Sequence, residues 1–256
     1  MDRSRTPWVT TAAVLVFFYL PVVVLVANSF NASRFGGGWE GFTLEWYRRL
    51  FTQREIWAAL RNTLVIAAFA TAVSTVVGTS AAFALHRYQS RLQKVHYLLI
   101  YTPLVIPEIL MGMGLLLFFV TIGLGLGLLT VTLSHVTFCI SYVAFVVLGR
   151  LQDFDWGLVE AAEDLGATPW TAFRKVVLPN LAPGIAAGAL LAFTLSIDDF
   201  VITFFTSGPG STTLPVRIYS MIKHGSPALI NALSTILLLL TFTTVWLSQR
   251  LTRENR

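Results

Sequence analysis

Glu108, Asp198 and Asp199 are the side chains of this sequence best suited to chemistry, because each lies inside a long apolar stretch. Ionisable groups in such surroundings are costly and usually face a bundle interior or a water-filled path. Two neighbouring carboxylates in a low dielectric resist double ionisation, and a bound cation would supply the compensating charge. Internal pairing is the alternative, with Arg61, Arg217 or Lys223 as candidate partners. Ser196 and Thr194 offer oxygens to the same region, or else satisfy helix carbonyls. Tyr101 precedes Glu108 by two helical turns on the same face, where its ring could meet a cation or simply pack. His135 is read as a helix–helix hydrogen-bonding residue, with no second ligand to suggest a metal. The single cysteine, Cys139, permits no intrachain disulfide. No nucleophile–base constellation is present. No Gly-x4-Gly-Lys-Ser/Thr loop occurs either, so this chain is not expected to bind ATP.

Those residues need a scaffold, and composition says which kind. Of 256 residues, 55% are hydrophobic and 12% charged, with a mean hydropathy of +0.70. A soluble domain would carry about twice that charge. The sequence predicts an all-α, polytopic bundle of six membrane helices in one domain, 1–256. The spans run roughly Val9–Ser29, Leu60–Leu85, Tyr97–Thr121, Leu124–Leu148, Pro183–Thr206 and Leu229–Leu247. The first is too long for a signal-peptide core and lacks a cleavage site, so it is expected to stay. At 1.5 Å per residue, Glu108 and Asp198 sit roughly 17 Å and roughly 23 Å from the same membrane face.

The net charge of +5 is read by location and not as a nucleic-acid signal. Arg3, Arg5, Arg87, Arg91, Lys94, Arg150, Arg174, Lys175, Arg250, Arg253 and Arg256 fall on one side of the bilayer. Arg34, Arg48, Arg49, Arg54, Arg61, Arg217 and Lys223 fall on the other. Eleven against seven places both termini in the cytoplasm. Segment Gly36–Phe51, with Trp39, Trp46 and Tyr47 among charges, reads as an interfacial helix. Glycines 123, 125 and 127 read as a turn and not as a nucleotide fingerprint.

Between the fourth and fifth spans lies a polar insert, about 150–182. It predicts two short helices joined at a glycine. Asp153 or Asp155 can cap the first, which carries Glu160, Ala161 and Ala162. Gly166 suits the left-handed position that ends it. Thr168 is a good N-cap for the second, with Pro169 at its first position. Trp170, Phe173 and Val176/Val177 then form an apolar stripe. That stripe packs on the protein's own helices, lies on lipid, or meets a partner. Pro179 is expected to stop the helix and Pro183 to open the next span.

Glu-Ala-Ala-x3-Gly-x9-Val-x-Leu-Pro, from Glu160 through Gly166 to Val176, Leu178 and Pro179, resembles the EAA loop of permease subunits in binding-protein-dependent ABC importers. The only departure is Val176 where the family has Ile. Further blocks resemble the second permease subunit of spermidine/putrescine importers, the PotC/PotI type. They are Asn28–Asn31, Ser134–Cys139, Ala192–Asp199, Gly208–Gly210 and Thr213–Pro215.

The resemblance implies a type I importer (MetI-like) permease fold in a bacterial cytoplasmic membrane. It implies a second related permease, two ATPase subunits that hold ATP and Mg, an outer substrate-binding protein and a polyamine cargo. It also gives Glu160, Ala161, Ala162, Gly166 and the helix Thr168–Val177, with Trp170 and Phe173, the role of docking on the ATPase. Another organic cation or amine-bearing solute is the alternative cargo. An intramembrane enzyme or a passive cation channel would leave the EAA segment unexplained.

Overall fold

The computed structural model describes residues 6–36, 38–88 and 90–254. Arg3, Arg5 and Arg256, counted above toward charge bias, lie outside them. The described chain is helical throughout, apart from loops and one isolated bridge between Asn31 and Phe42. Its helices are α1 (Thr6–Asn28), α2 (Glu45–Thr52), α3 (Arg54–Arg87), α4 (Gln93–Val105), α5 (Glu108–Thr121), α6 (Leu128–Gln152), α7 (Gly157–Asp164), α8 (Pro169–Ala172), α9 (Leu178–Asp198), α10 (Val201–Thr206), α11 (Leu214–Lys223) and α12 (Pro227–Glu254). Five helices are long and apolar enough to cross a membrane, counting α8 to α9 as one. The bent pair α4 and α5 makes a sixth span.

Backbone packing groups the chain into two compact units. One is the described part of Met1–Trp57 together with that of Arg217–Arg256. Here α12 packs on α1 and α2. The expected interfacial helix is shorter than Gly36–Phe51, since only Glu45–Thr52 is helical. In the preceding loop the Asn31 side chain supplements the backbone bonds from Ala32 to Gly41 and from Thr43 to Phe30. Asn31 Oδ1 accepts from the amides of Ser33 (3.1 Å) and Glu40 (2.9 Å), and Asn31 Nδ2 donates to Gly38 O at 2.6 Å. Trp46 is a buried wedge and not an interfacial anchor, its Nε1 donating to Asn31 O at 2.7 Å.

The other unit, Ala58–Val216, is built around α6. More than half of that span is enclosed. Its small and β-branched residues Cys139, Val143, Ala144 and Val147 are fully buried, and α9 lies along them.

Two predicted spans are corrected. The third, expected to run unbroken over Tyr97–Thr121, bends by 113° between α4 and α5. Pro107 has no N–H to continue the ladder and forces Ile106 into an extended conformation (φ −66°, ψ 132°). The fifth does not begin at Pro183. The chain is helical from Pro169 to Asp198, with a π-helical stretch at Phe173–Val177. That wider turn shifts the hydrogen-bond ladder just ahead of Pro179, so neither Pro179 nor Pro183 ends the helix. The same span stops early, at Asp198. Asp199 is extended (φ −60°, ψ 123°), and only then does α10 begin.

The two broken spans meet where α5 packs on α10. Gly112 permits the approach. A Cβ there would lie 2.8 Å from Phe205 Cδ2 and 3.4 Å from Ile202 Cα. Gly114, one half-turn on, has nothing within 4 Å. Gly112→Leu should therefore lower stability by about 1–3 kcal/mol through overpacking. Gly114→Leu should leave it unchanged or raise it, since the helix gains a better former. Thermal unfolding of the two variants in detergent checks the contrast.

Candidate functional site

The breaks in the two spans open a cavity of about 450 Å³. Glu108, Asp198 and Asp199 all line it, with Phe138 and Tyr142 of α6 as its aromatic wall. Each carboxylate arrives there for a backbone reason. Glu108 opens α5 directly after Pro107, Asp198 is the last residue of α9, and Asp199 precedes α10. Irregular backbone at membrane depth is tolerated where it lines a cavity of this kind.

The adjacent acids have opposite surroundings. Asp199 is enclosed by its own chain. Its Oδ2 accepts from the Thr203 amide (2.8 Å) and hydroxyl (2.7 Å), and its Oδ1 from the Ile202 amide at 3.3 Å. His135 Nε2 lies 3.3 Å from Asp199 Oδ2, with the two side chains only 1% and 6% exposed. Asp198 is exposed to the cavity and bonds to no other described residue.

Internal pairing is thus present at one of the two positions, with a partner not among the expected ones. Arg217 pairs with Glu55, and Lys223 lies over the Tyr219 ring. Ser196 is corrected from a cavity-lining residue to a buried one, its Oγ 2.7 Å from His135 Nδ1. Thr194 donates back to the Leu190 carbonyl. Tyr101 is corrected as well. It stacks on Tyr97 (6.1 Å between centroids) and meets Phe145 edge-on, and it does not line the cavity. Tyr142 takes that place. The signal for it was available, since His135, Phe138 and Tyr142 follow helical spacing on one face of α6.

With Asp199 satisfied internally, Glu108 and Asp198 stand beside aromatic faces with no basic side chain in the lining, an arrangement that can accept a cationic group. Among the described residues, no group of three or more His, Cys, Asp or Glu could hold a metal.

The polar insert forms a second structured region. Asp155 Oδ1 accepts from the Gly157 amide (2.9 Å) at the start of α7. Gly166 ends α7 with φ +86°, while its amide bonds to Glu163 O and that of Ala167 to Ala162 O. These are the two bonds of a Schellman motif. Thr168 caps α8, its hydroxyl accepting from the Thr171 amide at 3.3 Å, with Pro169 next in line.

The apolar stripe that follows has two fates. Phe173 is half-buried, packed inward on one side and stacked on the ring of Trp170 at 5.7 Å on the other. It sits edge-on to Phe83 of α3 at 4.9 Å, and Val177 beneath it is buried. Trp170 and Leu165 stay outside, 67% and 90% exposed. Glu160 and Ala161 are exposed as well, Ala162 is half-buried, and Leu178 and Pro179 are exposed at the start of α9. Trp156 pins the insert to the end of α3. Its Nε1 donates to His86 Nε2 at 3.3 Å, and Arg87 lies over its ring at 5.4 Å. Sequence reasoning missed this clasp, because its partners lie 70 residues apart.

Residues 74–254 match the family described as binding-protein-dependent transport system inner membrane component. The chain is 40% identical over 243 residues to the spermidine/putrescine transport system permease protein PotC of Escherichia coli K12, covering 95% of this chain and 92% of that one. It is 42% identical over 243 residues to the putrescine transport system permease protein PotI of the same strain, covering 91% and 86%. In structure it is similar to a bacterial ABC transporter involved in the import of the acidic polysaccharide alginate. The TM-score is 0.75 at 14% identity, with 98% of each chain covered, a likeness of fold.

The two faces of the stripe can be separated without any partner. Phe173→Asp removes a half-buried ring from Phe83 and should destabilise the chain by about 1–3 kcal/mol. Trp170→Asp lies at the surface and should stay within about 0.5 kcal/mol of the parent. Denaturation of the purified chain in detergent gives both numbers.

Proposed function

The chain belongs to the family of binding-protein-dependent transport system inner membrane components, and from that premise we propose that it carries a polyamine through the bilayer. It is a transport subunit, a permease of an ABC importer, in the inner membrane. The observation that carries the cargo reading is the cavity where Glu108 and Asp198 stand beside Phe138 and Tyr142 with no basic side chain in the lining. A primary ammonium is met by carboxylates and ring faces, and a carboxylate is costly to leave unpaired at this depth. The names of the relatives at 40% and 42% identity support the same cargo.

In this reading both termini are cytoplasmic, and the two compact units act as one permease domain with its insert at about 150–182. A second, related permease completes the path. An outer binding protein delivers cargo, and two ATPase subunits hold ATP and Mg. The ATPases close on ATP, the insert moves with them, and the bundle alternates between outward and inward access. Glu160, Ala161, Ala162, Gly166, Thr168, Pro169, Leu178 and Pro179 shape the docking segment. Trp170 and Leu165 supply its exposed apolar contacts, with the half-buried Phe173 stacked on Trp170.

The cargo reading is tested on the whole assembly in proteoliposomes. Asp198→Asn and Glu108→Gln keep shape and remove charge. Each should raise the KM for polyamine uptake at least tenfold, about 1.4 kcal/mol of lost interaction per decade. Uptake per assembled complex equal to that of the parent in both variants would leave the permease assignment standing and remove polyamine as the cargo of this cavity. Uptake of another organic cation in its place would reassign the cargo.

Docking is tested separately. A Leu165→Asp, Trp170→Asp double variant should insert normally yet co-purify with the ATPases at less than a tenth of the parent level. Co-purification at the parent level would move the docking surface elsewhere on the insert.

A further inference from the structure

His135 joins three helices at one point. Its Nδ1 lies 2.7 Å from Ser196 Oγ on α9, and its Nε2 lies 2.9 Å from Thr203 Oγ1 on α10. The same Nε2 is 3.3 Å from Asp199, in the break between them. The hydrogen-bond directions follow from these contacts. The Thr203 hydroxyl donates to Asp199 Oδ2 at 2.7 Å, so its hydrogen is used. The ring nitrogen facing Thr203 therefore carries a proton, and in the neutral ring Nδ1 accepts from Ser196. Donation runs one way, from Ser196 through His135 and Thr203 to Asp199. The Asp199 carboxylate is satisfied inside the protein, while Asp198 beside it is left to the cavity.

The other end of α9 is the polar insert. Pro169–Asp198 is helical over 30 residues, about 45 Å at 1.5 Å per residue. One helical element thus begins at the exposed Trp170 and ends at Asp198. A lever of this kind moves the cavity only if its far end is held to its neighbours. We propose that His135 is a positioning residue that fastens the α9–α10 break to α6, so that a stroke entering at the insert is delivered to Asp198. This rests on the transport reading above.

The test compares His135→Leu, His135→Gln and His135→Asn in the reconstituted importer, scoring polyamine taken up per ATP hydrolysed. Leu removes both bonds and should lower that ratio at least tenfold without raising the KM. Gln retains a donor near the Nε2 position and should restore the ratio to within about threefold. Asn, which reaches Ser196 but stops short of Asp199, should resemble Leu. Asp198→Asn, which acts on the cation itself, should raise the KM and keep the ratio at saturating cargo. A parent-like ratio in His135→Leu, or a KM effect like that of Asp198→Asn, overturns the proposal. Where His135→Leu fails to assemble, Gln against Asn decides, and equal ratios in that pair overturn it too.

Hydrogen exchange gives a reading that needs no cargo. Amides of residues 200–206 should exchange at least tenfold faster in His135→Asn than in His135→Gln, with 110–121 unchanged. Equal exchange in the two variants also counts against the clamp. A parent assembly that takes up no polyamine would sink the transport reading, while exchange still decides on His135.

Discussion

A helix that stops inside a hydrocarbon layer must find partners for its loose backbone groups, since each one left unpaired costs several kcal/mol. This chain stops twice at membrane depth, at Ile106–Pro107 and at Asp199–Phe200. The rest of the site follows from how those ends are satisfied. At the first break, Pro107 removes one donor outright, and its carbonyl accepts from the Met111 amide as α5 begins. At the second, the Asp199 carboxylate takes the amides of Ile202 and Thr203, the donors that a new helix leaves exposed. A charge that would be a liability in this setting is thereby consumed as a cap. The cavity is the space left between two ends solved in this way.

That solution explains why two identical neighbours do different work. The helix ends between the two, Asp198 being its last residue and Asp199 extended, so their side chains leave the backbone in different directions. With Asp199 turned into α6 and α10, Asp198 faces the cavity. The enclosed acid is the dependent one. Its partners His135 and Thr203 are buried, as is Ser196 behind His135, so removing any of them strands polar atoms where water does not reach. The exposed acid has no such dependants and is available to a ligand. Depth and residue type are the same for both, and only the backbone turn between them separates structure from function.

Much of this was legible in the sequence. Periodicity, caps and apolar length located the spans, the insert, the Gly166 turn and the Thr168 cap, because each depends on neighbours within a few residues. Glu108, Asp198 and Asp199 stood out because charge in apolar sequence has few explanations. What failed depended on distant contacts. Tyr101 was a reasonable aromatic by spacing, but the 113° bend beyond it turned it toward Phe145. Ser196 was read as a free oxygen because its partner lies 61 residues away. An amphipathic stripe does not say which of two surfaces it meets, and Phe173 meets Phe83 on one side and the exposed Trp170 on the other. Pro179 was read as a stop because a π-helical turn has no sequence signature of its own.

That turn connects the two functional regions. Had the helix ended at Pro179, the insert would be a hinged appendage, and movement of α8 would dissipate in a loop. The π stretch carries the helix past the proline. Asn180 Nδ2 adds a bond to the Val176 carbonyl (2.7 Å) at the junction. Phe173 and Val177, pressed against α3 and the core, stop the widened turn from swinging freely. Trp156, clasped to His86, ties the other arm of the insert to the same end of α3. The segment is therefore held on two sides by one helix and continues directly into another. In the proposed cycle a push on Trp170 or Leu165 would pass to α9, which lies along α6, and to the end of α3 that Trp156 clasps. Both border the packing that surrounds the cavity, so in the proposed cycle the insert would act as a mechanical input as well as a binding epitope.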